Sequence, residues 1–148
     1  MHKRVLGIDF GLRRVGVAIS DPLRLFARRL MTIERPREDG PGPVGEIARL
    51  CREEDVDTVV VGHPVRTDGR DSDIADLAAD FARALARELP CRVELYDERF
   101  TSLLASRVIL ETEKKKKRDK GLVDRVAAEI LLQDWLDREK GGLTAGRP

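Results

Sequence analysis

Long apolar runs are absent from this sequence, and aromatic residues make up only 4% of its 148 residues. No segment approaches the roughly 20 consecutive apolar residues of a membrane-spanning helix, or the apolar stretch of a secretion signal. Bases of a single nucleic-acid strand would find few rings on which to stack. The sequence therefore predicts a soluble, cytoplasmic protein that does not contact a membrane.

Cysteine is equally scarce, since the chain has only Cys51 and Cys91. Their separation lacks the paired spacing of a zinc site, and two cysteines are too few for a disulfide framework. Reduced thiols in the cytoplasm are the expected state.

A surplus of one charge is also missing, because 28 Lys and Arg residues stand against 27 Asp and Glu residues. Any affinity for nucleic acid must therefore come from a local patch.

One carboxylate inside an apolar strand, Asp9, is the first sign of a functional site. Two runs rich in β-branched residues, 4–10 and 15–20, flank a polar break at 11–14, which is typical of a β-hairpin. A buried unpaired charge is costly, so a hydrogen-bond donor, a cation or a metal is expected to hold Asp9. In the simpler alternative, Asp9 ends the strand and caps the turn.

The rest of the chain alternates between strand and helix patterns. Three more segments are predicted as strands, namely 25–33, 58–61 and 92–96. Apolar residues recur at helical spacing in 43–54, 71–89 and 122–139, and a fourth helix is predicted at 101–111, where Thr101 or Ser102 can cap its start. Loops are expected at 34–43 and 62–69.

This order of elements predicts an α/β fold with a five-stranded mixed sheet. Three antiparallel strands are continued by two parallel strands through right-handed crossovers, with helices on both faces. The length suits a single domain over residues 1–140, and Gly141 and Gly142 are expected to end the last helix before a disordered tail, 141–148. The carboxyl ends of strands one, four and five share the sheet edge at which ligands bind in open α/β folds.

Acidic side chains collect at that edge. Asp9 ends the first strand, Asp97 and Glu98 end the fifth, and Asp124 lies in the first turn of the last helix. Three carboxylates could hold two Mg²⁺ ions roughly 4 Å apart, an arrangement that hydrolyses phosphodiesters. Adjacent strand residues point to opposite faces, so only one of Asp97 and Glu98 is expected as a ligand, and we favour Glu98. Asp124 could instead simply complement the helix dipole.

Four blocks of sequence resemble the YqgF/RuvX family. They are GIDFG (7–11) with RVGVA (14–18) and Asp21, VVGHP (60–64) with Asp68-Gly69, YDERFTS (96–102), and DRVAA (124–128) with ILLQ (130–133). The resemblance covers about residues 4–137. It implies a ribonuclease H-like fold and metal binding, of Mg²⁺ or Mn²⁺, by Asp9, Glu98 and Asp124. His63 stands where the family commonly has leucine, which leaves its role open.

The strongest local charge is a basic tract, residues 114–120, which immediately precedes the Asp124 helix. The residues predicted to contact phosphates are Arg13, Arg14, Arg99, Lys114, Lys115, Lys116, Lys117 and Lys120. A basic tract can also be a solvated loop, and Arg99 could equally pair with a carboxylate. Aspartates in the segment 71–80 would repel nucleic acid, so opposite charges are segregated along the chain.

These features predict a metal-dependent nuclease that acts on structured nucleic acid. What the family is known for favours processing of the 5′ end of precursor 16S ribosomal RNA, and resolution of Holliday junctions is the first alternative. A second alternative is an assembly factor that binds ribosomal RNA without cleaving it. A third is an ATP-binding domain of the actin and sugar-kinase type, whose phosphate-binding hairpin resembles residues 9–16. A monomer and a dimer are equally open.

Overall fold

The computed structural model describes residues 3–35, 42–63, 72–97 and 121–145. Its strands are β1 (Arg4–Phe10), β2 (Arg14–Ser20), β3 (Ala27–Glu34), β4 (Val56–His63) and β5 (Arg92–Asp97). Its helices are α1 (Val44–Glu53), α2 (Ser72–Glu88) and α3 (Leu122–Ala145). The helix predicted at 101–111 lies outside the described residues.

All five strands form one sheet in the order β3-β2-β1-β4-β5. The pairs β1–β2 and β2–β3 are antiparallel, and the pairs β1–β4 and β4–β5 are parallel. The predicted mixed sheet is confirmed. β4 continues to His63, so the expectation that a loop begins at Gly62 is wrong, because both residues still pair with β5.

The two faces of the sheet have separate apolar cores. Leu6 and Ile8 of β1 pack with Ile47 of α1 and Leu85 of α2. Alternate residues of β1, β2 and β4 face α3 on the other side of the sheet. The core there consists of Val5, Ala18, Val60, Ala128, Leu132, Trp135 and Leu136. Helices therefore cover both faces, as predicted.

Both cysteines are free thiols, in agreement with the sequence. Cys51 is buried in the core between the sheet and α1, and Cys91 packs against that core. Burial, and after it the neighbouring Cys91, raise the pKa of Cys51 to about 12. The Cys51 thiol therefore stays protonated at neutral pH and behaves as a small apolar side chain.

Two glycines let α3 lie directly on the strands. A Cβ at Gly16 of β2 would come within 1.9 Å of the Asp124 carbonyl oxygen. At Gly7 of β1, a Cβ would lie 2.7 Å from the Cβ of Leu132. The helix backbone at Gly16 and the Leu132 side chain at Gly7 thus fill the space that strand side chains would occupy.

The last helix is longer than the sequence predicts. It runs to Ala145, so the prediction that Gly141 and Gly142 end it is wrong. Each glycine inside a helix costs only about 1 kcal/mol relative to alanine. Two glycines therefore weaken the helix without breaking its hydrogen-bond ladder. Although α3 has 24 residues, none of the described helices has an apolar stretch long enough to cross a membrane.

Gly16→Ala should destabilise the fold by about 1–3 kcal/mol or more, because the new methyl group would displace α3 from β2. Urea unfolding of both proteins measures the effect. Gly45→Ala is the control: it lies on an exposed position of α1 with no atom within 4 Å, so it should be neutral or stabilise by up to about 1 kcal/mol. An unchanged midpoint for Gly16→Ala would contradict the close contact.

Candidate functional site

Asp9 lies on the α3 side of the sheet, close to the carboxyl end of β1. Its neighbours Ile8 and Phe10 belong to the opposite core, and Asp9 is only 3% exposed. Gly16 is its partner on β2. On the other side, Asp9 comes one step after the paired Ile8 and Val61, which places Gly62 of β4 next to it. Asp9 is therefore flanked by a glycine on each neighbouring strand.

Asp124, in the first turn of α3, lies on the same side of the sheet as Asp9. Its backbone rests on Gly16, the direct cross-strand partner of Asp9. Its carboxylate accepts a hydrogen bond from Nε of Arg14 at 2.9 Å, and both side chains are mostly buried. The structure thus places two of the three predicted metal-binding acids on one side of the sheet, on elements in direct contact.

The third acid requires a choice between two adjacent residues. Tyr96 packs into the core under α3, so the next residue, Asp97, projects from the opposite side of the sheet. His63 pairs with Asp97 across the strands and faces that side too, away from Asp9. Glu98 lies outside the described residues. Among the described residues, no group of three acidic, histidine or cysteine side chains could hold a metal ion.

The start of α3 is hydrogen-bonded to β3, an edge strand of the sheet. Thr32 of β3 donates to the carbonyl oxygen of Gly121 at 2.8 Å, and Nη1 of Arg125 donates to Thr32 at 3.2 Å. One turn later, Arg29 of β3 pairs with Glu129 at 3.2 Å. These bonds hold the first turn of α3, with Asp124, over β2 and β3.

An arginine outside the predicted site holds the β1–β2 turn. Nη1 of Arg35 donates to the carbonyl oxygens of Gly11 and Leu12 at 3.0 and 2.9 Å, and its backbone N–H donates to Arg13 at 2.8 Å. Its guanidinium lies 4.7 Å from the centre of the Phe10 ring. Arg35 is not among the predicted site residues, because it falls in a predicted loop and nothing in its local sequence distinguishes it from the other arginines.

The predicted phosphate-binding residues are only partly described. Arg13 is exposed in the β1–β2 turn, whereas Arg14 is bound to Asp124. The others lie outside the described residues, and they are Arg99, Lys114, Lys115, Lys116, Lys117 and Lys120.

Tyr96 and Asp134 connect the edge strand β5 to α3. The Tyr96 hydroxyl donates to Oδ2 of Asp134 at 2.5 Å, and Arg138 pairs with the same oxygen at 3.2 Å. Burial, the hydrogen bond to Asp134 and the negative charge of Asp134 all raise the pKa of Tyr96. The phenol therefore remains a hydrogen-bond donor throughout the physiological pH range and fixes the strand that ends at Asp97.

Asp21 lies at the other end of β2, at the edge of the sheet away from Asp9. Its carboxylate accepts N–H groups of Leu23, Leu25 and Phe26 at 3.1, 2.8 and 2.7 Å. Burial alone would raise its pKa, but the backbone hydrogen bonds, that of Phe26 first, outweigh burial and lower it. Asp21 thus stabilises a loop and is not part of the candidate site.

Comparison with known proteins places these residues in a family. The profile of the RuvX family, described as Holliday junction resolvase, matches residues 3–138. A protein of Koribacter versatilis named "Putative pre-16S rRNA nuclease" is 38% identical over 138 residues, which cover 93% of this chain and 89% of the relative. Its namesake in Shouchella clausii is 36% identical over 141 residues, covering 95% and 99%.

Solved structures share the fold at low identity. RuvC of T. thermophilus, in complex with a Holliday junction substrate, matches with a TM-score of 0.55 and 20% identity over 95% of this chain and 97% of RuvC. The Fowlpox virus resolvase, in complex with Holliday junction DNA, gives 0.56 and 12% over 92% and 98%. The predicted ribonuclease H-like fold is therefore confirmed, in its RuvC-type form.

The role of Asp21 predicts a specific pH dependence. Because its pKa is lowered in the fold, the charged carboxylate stabilises the protein above its ordinary pKa, and this contribution disappears as the pH falls through the lowered value. Asp21→Asn should therefore unfold at a lower temperature than the parent at about pH 6, and the difference should vanish in strong acid. Thermal unfolding at stepped pH measures it.

Asp76→Asn, on an exposed position of α2, serves as the matched control and should follow the parent at every pH. If Asp21→Asn were destabilised by the same amount in acid as at neutral pH, the charge of Asp21 would not be what stabilises the loop.

Proposed function

Because this chain belongs to the RuvX family, described as Holliday junction resolvases, we propose that it is a metal-dependent nuclease that hydrolyses phosphodiester bonds in structured nucleic acid. The observation that carries the proposal is the approach of Asp124 to Asp9 across Gly16. Both residues lie within the matched region. The names of the relatives support the same class of reaction.

The donor set of this site suits a hard divalent cation. Asp9 and Asp124 supply carboxylate oxygens from one side of the sheet, and oxygen is the ligand atom that Mg²⁺ and Mn²⁺ prefer. Asp97 projects from the other side, so we assign the third carboxylate to the next residue, Glu98. A bound pair of ions would supply an activated water and would stabilise the leaving oxygen.

Basic residues are proposed to hold the substrate against these acids. Arg13 is exposed in the turn between the strand of Asp9 and the strand of Gly16. Gly121, which Thr32 holds beside the first turn of α3, directly follows the basic tract in the chain. We therefore assign phosphate contacts to Arg13, Arg14, Arg99 and the lysines at 114–117 and 120.

The names of the relatives favour precursor 16S ribosomal RNA as the substrate, and they also favour the cytoplasm as the place of action. Holliday junction DNA is the second candidate, because the family itself is described as a junction resolvase. Incubation of the protein with precursor 16S RNA and with a four-way DNA junction, each with and without Mg²⁺ or Mn²⁺, decides between them. Binding without cleavage of either substrate would identify a non-cleaving assembly factor.

Asp9→Asn, Glu98→Gln and Asp124→Asn should each reduce metal-dependent cleavage by roughly 100-fold or more, because a catalytic ion contributes several kcal/mol to the reaction. Circular dichroism should show an intact fold, because Asp9→Asn and Glu98→Gln remove repulsion between carboxylates, and the amide introduced by Asp124→Asn keeps an oxygen that can accept from Arg14. Glu129→Gln is the control on the same helix, since Glu129 pairs with Arg29 away from Asp9. Parental cleavage by all three variants would exclude the proposed chemistry.

Replacing Lys115, Lys116 and Lys117 by Gln should weaken binding similarly for all sequences, because phosphate contacts position the substrate without reading bases. Each lost contact should make the slope of log affinity against log salt shallower by about 0.9 for duplex or 0.7 for single strands. Fluorescence anisotropy at stepped salt concentration measures the slope. The double variant Asp73→Asn with Asp76→Asn, on α2, should leave it nearly unaltered. An unchanged slope in the lysine variant would show that substrate lies elsewhere.

A further inference from the structure

The ion pair between Arg14 and Asp124 occupies one of the acids that the proposed function assigns to metal binding. Nε of Arg14 lies 2.9 Å from Oδ2 of Asp124, and the side chains are 24% and 19% exposed. Within the described part of the chain, Arg14 is the only residue that pairs with the Asp124 carboxylate. This contact is therefore mostly shielded from water, unlike the exposed ion pairs elsewhere on the surface.

Both partners are held by their backbones. Arg14 begins β2, its carbonyl oxygen accepts the Gly11 N–H at 3.1 Å, and Arg35 holds the turn that leads to it. Asp124 rests on Gly16, two residues further along the same strand. The guanidinium and the carboxylate are thus brought together by the fold, and the pair is more than a meeting of two flexible surface side chains.

Electrostatics gives this pair a consequence for metal binding. Asp9 is buried on the same side of the sheet, so without a cation the two carboxylates would repel each other through a medium of low dielectric constant. The guanidinium offsets the charge of Asp124. A divalent ion bound to Asp124 would offer the same compensation, and it would also repel the guanidinium.

We propose that Arg14 is a positioning residue that holds and neutralises Asp124 in the metal-free protein and gives up Oδ2 when a divalent ion binds. This inference rests on the proposed function. Release of the ion pair makes the donors of the guanidinium available to a phosphate oxygen, an anion that the planar guanidinium group binds well. Metal binding would then precede and promote the phosphate contact predicted for Arg14.

Titration of Mn²⁺ into the full-length protein by calorimetry tests the inference without any cleavage assay. Arg14→Gln should bind Mn²⁺ more tightly by on the order of tenfold, because an opposing positive charge is removed. Arg14→Lys keeps that charge and should remain close to the parent. Arg29→Gln is the matched control: it removes another ion pair between the sheet and α3, and it should leave Mn²⁺ affinity unchanged.

Thermal unfolding gives a second measurement that a purely structural role would not reproduce. Without metal, Arg14→Gln should unfold at a lower temperature than the parent. With saturating Mn²⁺ the two should coincide, because the parent has then lost the same contact. Arg29→Gln should be shifted equally with and without metal, since its ion pair is independent of the site.

The outcomes separate the inference from the proposed function. If the parent binds Mn²⁺ and Asp9→Asn abolishes binding, but Arg14→Gln binds equally or more weakly, the role of Arg14 is refuted and the metal site stands. If the parent binds no Mn²⁺, or Asp9→Asn binds it as well as the parent, the proposed metal site fails and the role of Arg14 fails with it.

Discussion

Direct contact between the backbone of α3 and Gly16 of β2 is the constraint on which the rest of this structure depends. A helix packed on a sheet is normally kept away by the side chains between them, and here one of those side chains is missing. Gly16 is also the cross-strand partner of Asp9. The contact that packs the helix therefore also brings Asp124 to the buried carboxylate, so packing and the proposed chemistry cannot be changed independently.

The helix is attached to the rest of the fold just before its first turn and again at its middle. Thr32 binds the Gly121 carbonyl oxygen before its first turn. At its middle, Gln133 accepts the Ala27 N–H at 2.8 Å and donates to the Leu25 carbonyl oxygen at 3.1 Å. The loop held by Asp21 supplies that second attachment. Residues of the shared sequence blocks thus include some that support α3 far from the acids and others that form the candidate site.

The charges of the candidate site are arranged locally. The near-neutral total hides a local arrangement in which two acids share one side of the sheet and an arginine offsets one of them. A positive helix N-terminus adds to this compensation at Asp124. In the proposed function, such an arrangement would keep the metal-free fold stable and leave carboxylate oxygens for which a divalent ion could compete.

The sequence by itself determined the sheet, its mixed pairing and the positions of Asp9 and Asp124, because alternation, helical spacing and the shared blocks are local patterns. Only the tertiary structure decided that Arg14, among 28 basic residues, pairs with an aspartate 110 positions away. It also decided that Asp97 and His63 face away from Asp9, and that Arg35 holds the turn. Patterns along a chain report which residues share a face of one strand or helix, whereas the layer which that face meets and the partners it finds there are set by the elements that folding brings together.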